Sequence, residues 1–213
     1  MARTNRNQAH RTQSRVRPQL RKASVVHDGS AFQLAADLRQ CGFDVDEGPL
    51  LSSIGMHREP GNLAVIATRS GAAKRERLRE WARELCWNGA AVLAVGAAVG
   101  PVAELFGSPR AVAADHRVAG RLADIHAVSH GLFTGLASEF RLPLPAGDRF
   151  EHGELSAEFS ATAWSRDGEL IGASHIFRPV HLLHPAVLES RELRPVVLKN
   201  LLALLKDKGG RAF

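Results

Sequence analysis

Short apolar runs alternate along the chain with stretches whose apolar positions recur every three or four residues. ASVV (23–26) reads as a strand, and residues 30–42, SAFQLAADLRQCG, read as a helix with Phe32, Ala35, Ala36 and Leu38 on or near its inner face and Gly42 as its stop. FDVDEG (43–48) reads as a short strand and NLAVIAT (62–68) as a buried one. Over residues 72–87, Leu78, Trp81, Ala82 and Leu85 keep the spacing of one helical face, with Lys74, Arg75, Arg79 and Arg83 on the other. AAVLAV (90–95) is wholly apolar, as suits a central parallel strand covered on both faces. VGPVAELFG (99–107) then predicts a short helix ended by Gly107.

The second half changes character. AEFSATAWS (157–165), ELIGASHI (169–176) and PVHLLH (179–184) read as strands, with RDG (166–168) turning a hairpin. A final helix over about 191–206 carries Leu193, Val196, Val197, Leu201, Leu204 and Leu205, and Pro195 fits its first turn, where a missing N–H costs little. Interleaved strands and helices predict an α/β fold: a helix-covered, mostly parallel sheet with an antiparallel hairpin in the second half.

With 213 residues, 45% of them hydrophobic, the chain has material for one ordinary core. Charge changes the picture at one end only. The formal net charge is +6, yet Arg3, Arg6, Arg11, Arg15, Arg17, Arg21 and Lys22 all fall within residues 1–27 with no acid among them, which leaves the rest near neutral. The expected organisation is a basic, disordered arm over 1–22 and one domain over 23–213. Such an arm would attract RNA, DNA or another anionic surface by neutralising phosphates, or would only aid solubility. Cys41 and Cys86 are too few for a disulfide framework, no apolar run reaches the ~18 residues of a membrane span, and no signal-peptide pattern follows the basic start. A reducing cytoplasm is the expected compartment.

Candidate chemistry centres on AVGAAVG (94–100), where a buried strand turns sharply into a helix. Many α/β enzymes hold a nucleophile at such an elbow. Here Gly96 takes that place, with Ala97, Ala98 and Val99 after it. This segment, with HGLFTGLASEF (130–140) and ATAWSRDGELIGASHIFRPVHLLHP (161–185), resembles the class I (triad-type) glutamine amidotransferases, and among them the small glutaminase subunits of anthranilate and aminodeoxychorismate synthases. Trp164, Asp167, Gly168, His184 and Pro185 stand in register with that family's paired strands and catalytic histidine. Weaker matches are HDGSAFQLAADLRQCGFDV (27–45) and IATRSGA (66–72), so the resemblance runs from about Ser24 to Leu205. It implies a flavodoxin-like sheet and, as partner, a chorismate-binding synthase subunit.

In that family a cysteine at the elbow attacks the glutamine side-chain amide, a histidine relays the proton, a glutamate two residues beyond orients the histidine, and backbone N–H groups hold the oxyanion. The resemblance carries the cysteine onto Gly96, the histidine onto His184 and the glutamate onto Ala186, so two of the three catalytic groups are absent. The oxyanion loop falls on Arg69, Ser70 and Gly71, with Ala97 beyond the elbow. The family's glycine, histidine and glutamine after the elbow read Ala98, Val99 and Gly100, and its Tyr-His-Ser substrate stretch falls loosely on Leu142, Pro143 and Leu144. A glycine cannot form an acyl intermediate, but it tolerates the positive φ of a strained elbow, so the geometry can outlast the chemistry.

The expected function is that of a catalytically degenerate glutaminase, a structural or regulatory partner of a chorismate-utilising synthase. No cofactor and no metal site is expected: His175, His181 and His184 lack a nearby acidic or thiolate ligand in the sequence, and His116, His126 and His130 are no better placed. Glu189 is a remote candidate to orient His184, and Cys86 reads as a core thiol. Two other readings stay open. One is a nucleic-acid-associated protein acting through the arm; the other is a diverged enzyme using the same cleft, with His184 its retained titratable group.

Overall fold

The structure, a computed structural model, describes residues 21–28, 32–49, 62–69, 75–109, 120–145 and 150–208. Arg3, Arg6, Arg11, Arg15 and Arg17 of the arm, Ser70 and Gly71 of the loop after the third strand, Lys74, His116 and the Phe32 side chain lie outside the described residues. In chain order the elements are β1 (Arg21–His27), α1 (Phe32–Gln40), β2 (Phe43–Pro49), β3 (Leu63–Thr68), α2 (Arg75–Trp87), β4 (Ala91–Gly96), α3 (Val99–Glu104), β5 (Arg121–Ala127), β6 (Glu139–Leu144), β7 (Phe159–Ser165), β8 (Leu170–His175), β9 (Val180–Leu183), α4 (Pro185–Glu189) and α5 (Leu193–Lys208).

Among the described residues the strands form one sheet in the order β2-β1-β3-β4-β9-β8-β7-β5-β6. The first five of these run parallel and the remainder pair antiparallel. The expected α/β fold with its later hairpin is therefore present. Its central strands bury successive residues on opposite faces, which explains their unbroken apolar sequence. Val25, Val65, Leu93 and Leu183 face a core completed by Leu34, Ala35 and Leu38 of α1 and Val197, Leu198 and Leu201 of α5. Val26, Ile66, Ala94 and Leu182 face the other, against Leu78, Trp81, Ala82 and Leu85 of α2 and Val102 and Ala103 of α3. Each fully buried leucine or valine here contributes about 1.5–3 kcal/mol of transfer free energy.

Several details depart from the sequence reading. β1 begins at Arg21, so Arg21 and Lys22 belong to the sheet, pairing with Phe43 and Asp44 of β2. Arg75 is not on the solvent face of α2: its guanidinium, 12% exposed, is paired with Glu104 of α3. β5 and β6 extend the antiparallel part, so the second half is a broader antiparallel region rather than a lone hairpin. α4 is a separate turn of helix before α5. RDG does turn the β7–β8 hairpin, with Gly168 at φ +89° donating its N–H to Ser165 O at 2.9 Å. Within β8, a Cβ on Gly172 would run into the ring of Phe133, which is fully buried over that strand. Glycine there is a packing requirement.

Candidate functional site

The parallel strands β1, β3, β4 and β9 all end at one edge of the sheet. Because β8 runs against β9, β7 against β8 and β5 against β7, that edge also receives the starts of β8 and β5 and the end of β7. Gly96, Thr68, Asp28, His184, Glu169, Ser165 and Arg121 meet there. In open α/β sheets this carboxyl edge is where ligands bind.

The elbow has the geometry that its sequence predicts. Gly96 sits at φ +67°, where an L side chain is strained. Its surroundings add a second obstacle. A Cβ at Gly96 would stand 2.5 Å from Thr68 O, and the nearest side-chain atom to that point is Pro185 Cγ at 3.9 Å. The N–H of Ala97 donates to the same Thr68 oxygen at 2.8 Å. Thr68 Oγ1 and the Arg69 N–H both donate to Asp28 Oδ2, each at 2.7 Å. An oxyanion hole needs backbone donors aimed at a vacant position. Both described candidates, the Ala97 and Arg69 amides, are committed to oxygens of this chain.

His184 is committed as well. It is the N-cap of α4, and its Nδ1 accepts the Ala186 N–H at 3.2 Å. An accepting Nδ1 places the neutral ring's proton on Nε2, which faces Glu169 Oε1 at 3.4 Å. The lone pair that a general base would use is therefore spent on the helix cap. Ala186 is buried and contributes only that amide.

The carboxylate facing His184 is one that the sequence reading missed. Glu169 is 4% exposed and stands immediately before β8. Arg121 Nη2 donates to Glu169 Oε2 at 2.7 Å and to both oxygens of Asp167, at 3.0 and 2.9 Å. Ser165 Oγ donates to Asp167 Oδ1 at 2.6 Å and accepts the Glu169 N–H at 2.9 Å. Burial pushes the Glu169 carboxyl up, but the hydrogen bonds from His184 and Arg121 and the Arg121 charge outweigh that and hold it below the ordinary carboxylate value. The structural register explains the meeting: continuing the pairing of Gly172 with Leu183 past the end of β9 brings residue 169 level with residue 186. Glu169, at the entry to β8, is thus the carboxylate that stands against the turn holding His184 and Ala186.

Glu189, the candidate partner named from the sequence, faces Arg69 at 3.7 Å instead. Leu142 and Leu144 lie in β6 and are buried in the same core as Ala186 and Val187, and β6 packs against α4. That stretch thus reaches the neighbourhood of the site without bringing a polar group. Three of the other candidate histidines have separate partners: His175 faces Glu158, His181 faces Ser174 and His126 faces Glu139. Among the described residues no group of three potential ligands is arranged to hold a metal ion. Cys86 is buried, and burial pushes its thiol up to about 11, so it is protonated and unreactive at neutral pH.

No family model matches the chain, and no curated protein matches it in sequence. Solved structures match its fold. A Thermoplasma acidophilum protein described as a GMP synthase subunit superposes with a TM-score of 0.74 at 20% identity, covering 90% of this chain and 97% of that one. A glutamine amidotransferase from Thermotoga maritima gives 0.63 at 12% identity, covering 91% and 87%. PurLQS from Thermotoga maritima gives 0.61 at 13% identity, covering 87% and 99%. The chain has a class I glutamine amidotransferase-like fold. No helix among its described residues is long and apolar enough to cross a membrane.

Proposed function

We propose that this protein is a glutaminase-fold subunit without glutaminase chemistry, acting as a structural or regulatory partner of a synthase. One observation carries the reading: Thr68 O occupies the space beside Gly96 and also takes the Ala97 N–H. Nucleophile and oxyanion donor are lost to the same backbone oxygen. The Nδ1 lone pair of His184, engaged by Ala186 N–H, removes the general base in the same way. Loss of a covalent nucleophile alone costs several orders of magnitude in rate, and here three elements of the mechanism are missing together.

The sequence resemblance supplies the partner, a chorismate-binding synthase subunit of the anthranilate or aminodeoxychorismate type. Its docking would use the scaffold and not a reaction. The test has two arms, run on the full chain: release of ammonia from glutamine, and co-purification with tagged synthase subunits at physiological and raised salt. The expected result is no ammonia above a protein-free blank and a stoichiometric complex that survives both salts. Glutamine turnover that scales with protein and disappears in the His184→Ala variant would overturn the reading of a silent site. Failure to retain either chorismate-type subunit would overturn the partner.

A further inference from the structure

Among the described residues two strands flank the sheet, β2 on one side and β6 on the other. Each leaves one row of backbone groups without a strand neighbour, and such a row is a template on which another strand can pair. In β6 the make-up of that row follows from the ladder. The Ala127 N–H donates to Ser138 O at 2.8 Å, while the Val128 N–H and Asp124 O turn the other way, to Thr162 O and the Arg166 N–H. With the β5–β6 register, Ser138, Phe140, Leu142 and Leu144 therefore aim their N–H and C=O groups at β5. Glu139, Arg141 and Pro143 aim theirs outwards, and Pro143 has no N–H to donate.

The side chains along this strand favour one occupant, a second copy of the chain. Those of Glu139 and Arg141 are 76% and 65% exposed on one face, where they meet His126 and Asp124 of β5 at 3.5 and 3.1 Å. Phe140, on the other face, is half-buried at the rim of the core that α1 and α5 complete. Two β6 strands laid antiparallel about a two-fold axis at Phe140 set Glu139 of each copy opposite the partner's Arg141. Residues whose backbone groups point outwards then face each other, so each Glu139–Arg141 rung exchanges both of its N–H···O=C bonds. The two Phe140 rings meet across the axis in the closer, non-hydrogen-bonded kind of pair and cover one another's exposed part. The neighbouring registers are worse. An axis at Glu139 opposes two glutamates, one at Arg141 opposes two arginines, and one at Leu142 sets Arg141 against Pro143, which donates nothing. β2 is protected by the same rule: Asp44 and Asp46 are exposed, and an axis at Asp44, Val45 or Asp46 sets aspartate against aspartate.

We propose that the protein forms a two-fold dimer through β6, centred on Phe140, which joins the two sheets into one. Charge complementarity along the strand selects both the partner and the register. Three strands, β5, β7 and β8, lie between β6 and β9, so the elbow and His184 take no part in the pairing. The dimer stands whether or not a synthase subunit docks.

The test is sedimentation velocity of the full chain over a wide range of concentration, where a reversible monomer–dimer equilibrium is expected. Glu139→Arg and Arg141→Glu should each weaken the dimer roughly 5- to 100-fold, because each turns both rungs from opposite to like charge. Mixed in equal amounts, the two variants should associate again, since one then carries only basic and the other only acidic groups at these positions. Dimerisation through any other surface would show no such rescue. Circular dichroism verifies that both variants fold, and amide hydrogen exchange of the native chain reads the same contact without a substitution: the Glu139 and Arg141 N–H groups should exchange more slowly as concentration rises. Phe177→Ser, exposed elsewhere on the molecule, should dimerise like the native chain. A chain that stays monomeric at every concentration, a dimer indifferent to both charge reversals, or no recovery on mixing would each overturn the proposal.

Discussion

At the carboxyl edge of the parallel strands, polar groups satisfy one another: Thr68 O holds the Ala97 N–H, Asp28 holds Thr68 Oγ1 and the Arg69 N–H, and Glu169 sits between His184 and Arg121. At the opposite edge, Trp87, Ile176 and Phe177 remain exposed, with the Arg178 guanidinium lying over Trp87. In an enzyme of this fold the first edge is the reactive one, and its donors and lone pairs must be open to substrate. Among the described residues the donors and acceptors of that edge are bonded to one another, and the exposed aromatic side chains lie at the other. Closing a site stabilises the fold, because a buried donor or acceptor that would otherwise wait for substrate has a permanent partner.

This contrast makes measurable claims, of which the largest concerns Glu169. Truncating it in Glu169→Ala would leave Arg121 and His184 facing an emptied, largely buried position. Discounted for the quarter-exposed side chain of Arg121, which still has Asp167, the loss should be about 2–3 kcal/mol in urea unfolding. A loss below ~0.5 kcal/mol would mean that the network is not a structural element.

Gly96→Cys should come next, at about 1–2 kcal/mol for the positive φ alone, plus displacement of Thr68 O. If instead it is neutral, the loop after β3 yields easily and the closure of this edge is shallow.

The third claim is a pH dependence. The Glu169 carboxyl is held below the value of 4.5 that it would have when unfolded. A depressed folded value stabilises the protein above the unfolded value, and that contribution is lost as pH falls through the folded one. Between about pH 5 and 3 the stability of the native chain should therefore fall more steeply than that of Glu169→Gln, which carries no proton equilibrium there. Parallel profiles would remove Glu169 from the account.

The smallest effect belongs to the other edge. Phe177→Ser should change stability by less than ~0.5 kcal/mol, because an exposed turn residue takes little buried area with it. A larger loss would show that the aromatic group is part of the core and not an open surface.

The fold was largely legible in the sequence because its central strands are bare apolar runs and α2 has a clean polar face. β5 was harder: RLADIHA does alternate, burying Ala123, Ile125 and Ala127, but two of those three are alanines and the signal is weak. β6 contains Pro143, which is tolerated at the sheet's edge but reads as a strand breaker. The elbow could be read directly from the strand-to-helix turn at Gly96. The closure around it could not, since it consists of backbone groups, Thr68 O and the Ala97 and Ala186 amides, that every sequence possesses. Glu169 lay hidden for another reason: its relation to His184 is a cross-strand pairing, and the antiparallel register that creates it has no trace in the spacing from 169 to 184.

The most direct test of the closed edge is to restore the missing side chains and ask whether chemistry returns. The Gly96→Cys, Ala186→Glu double variant supplies a complete cysteine, histidine and glutamate set on this scaffold; its ammonia release from glutamine would be followed alongside circular dichroism to verify that it folds. A folded variant with no turnover above the native chain is the predicted result, because Thr68 O still holds the Ala97 N–H. Glutamine hydrolysis by that variant would contradict the account, since it would mean that the oxyanion hole opens freely and only two side chains separate this protein from an enzyme.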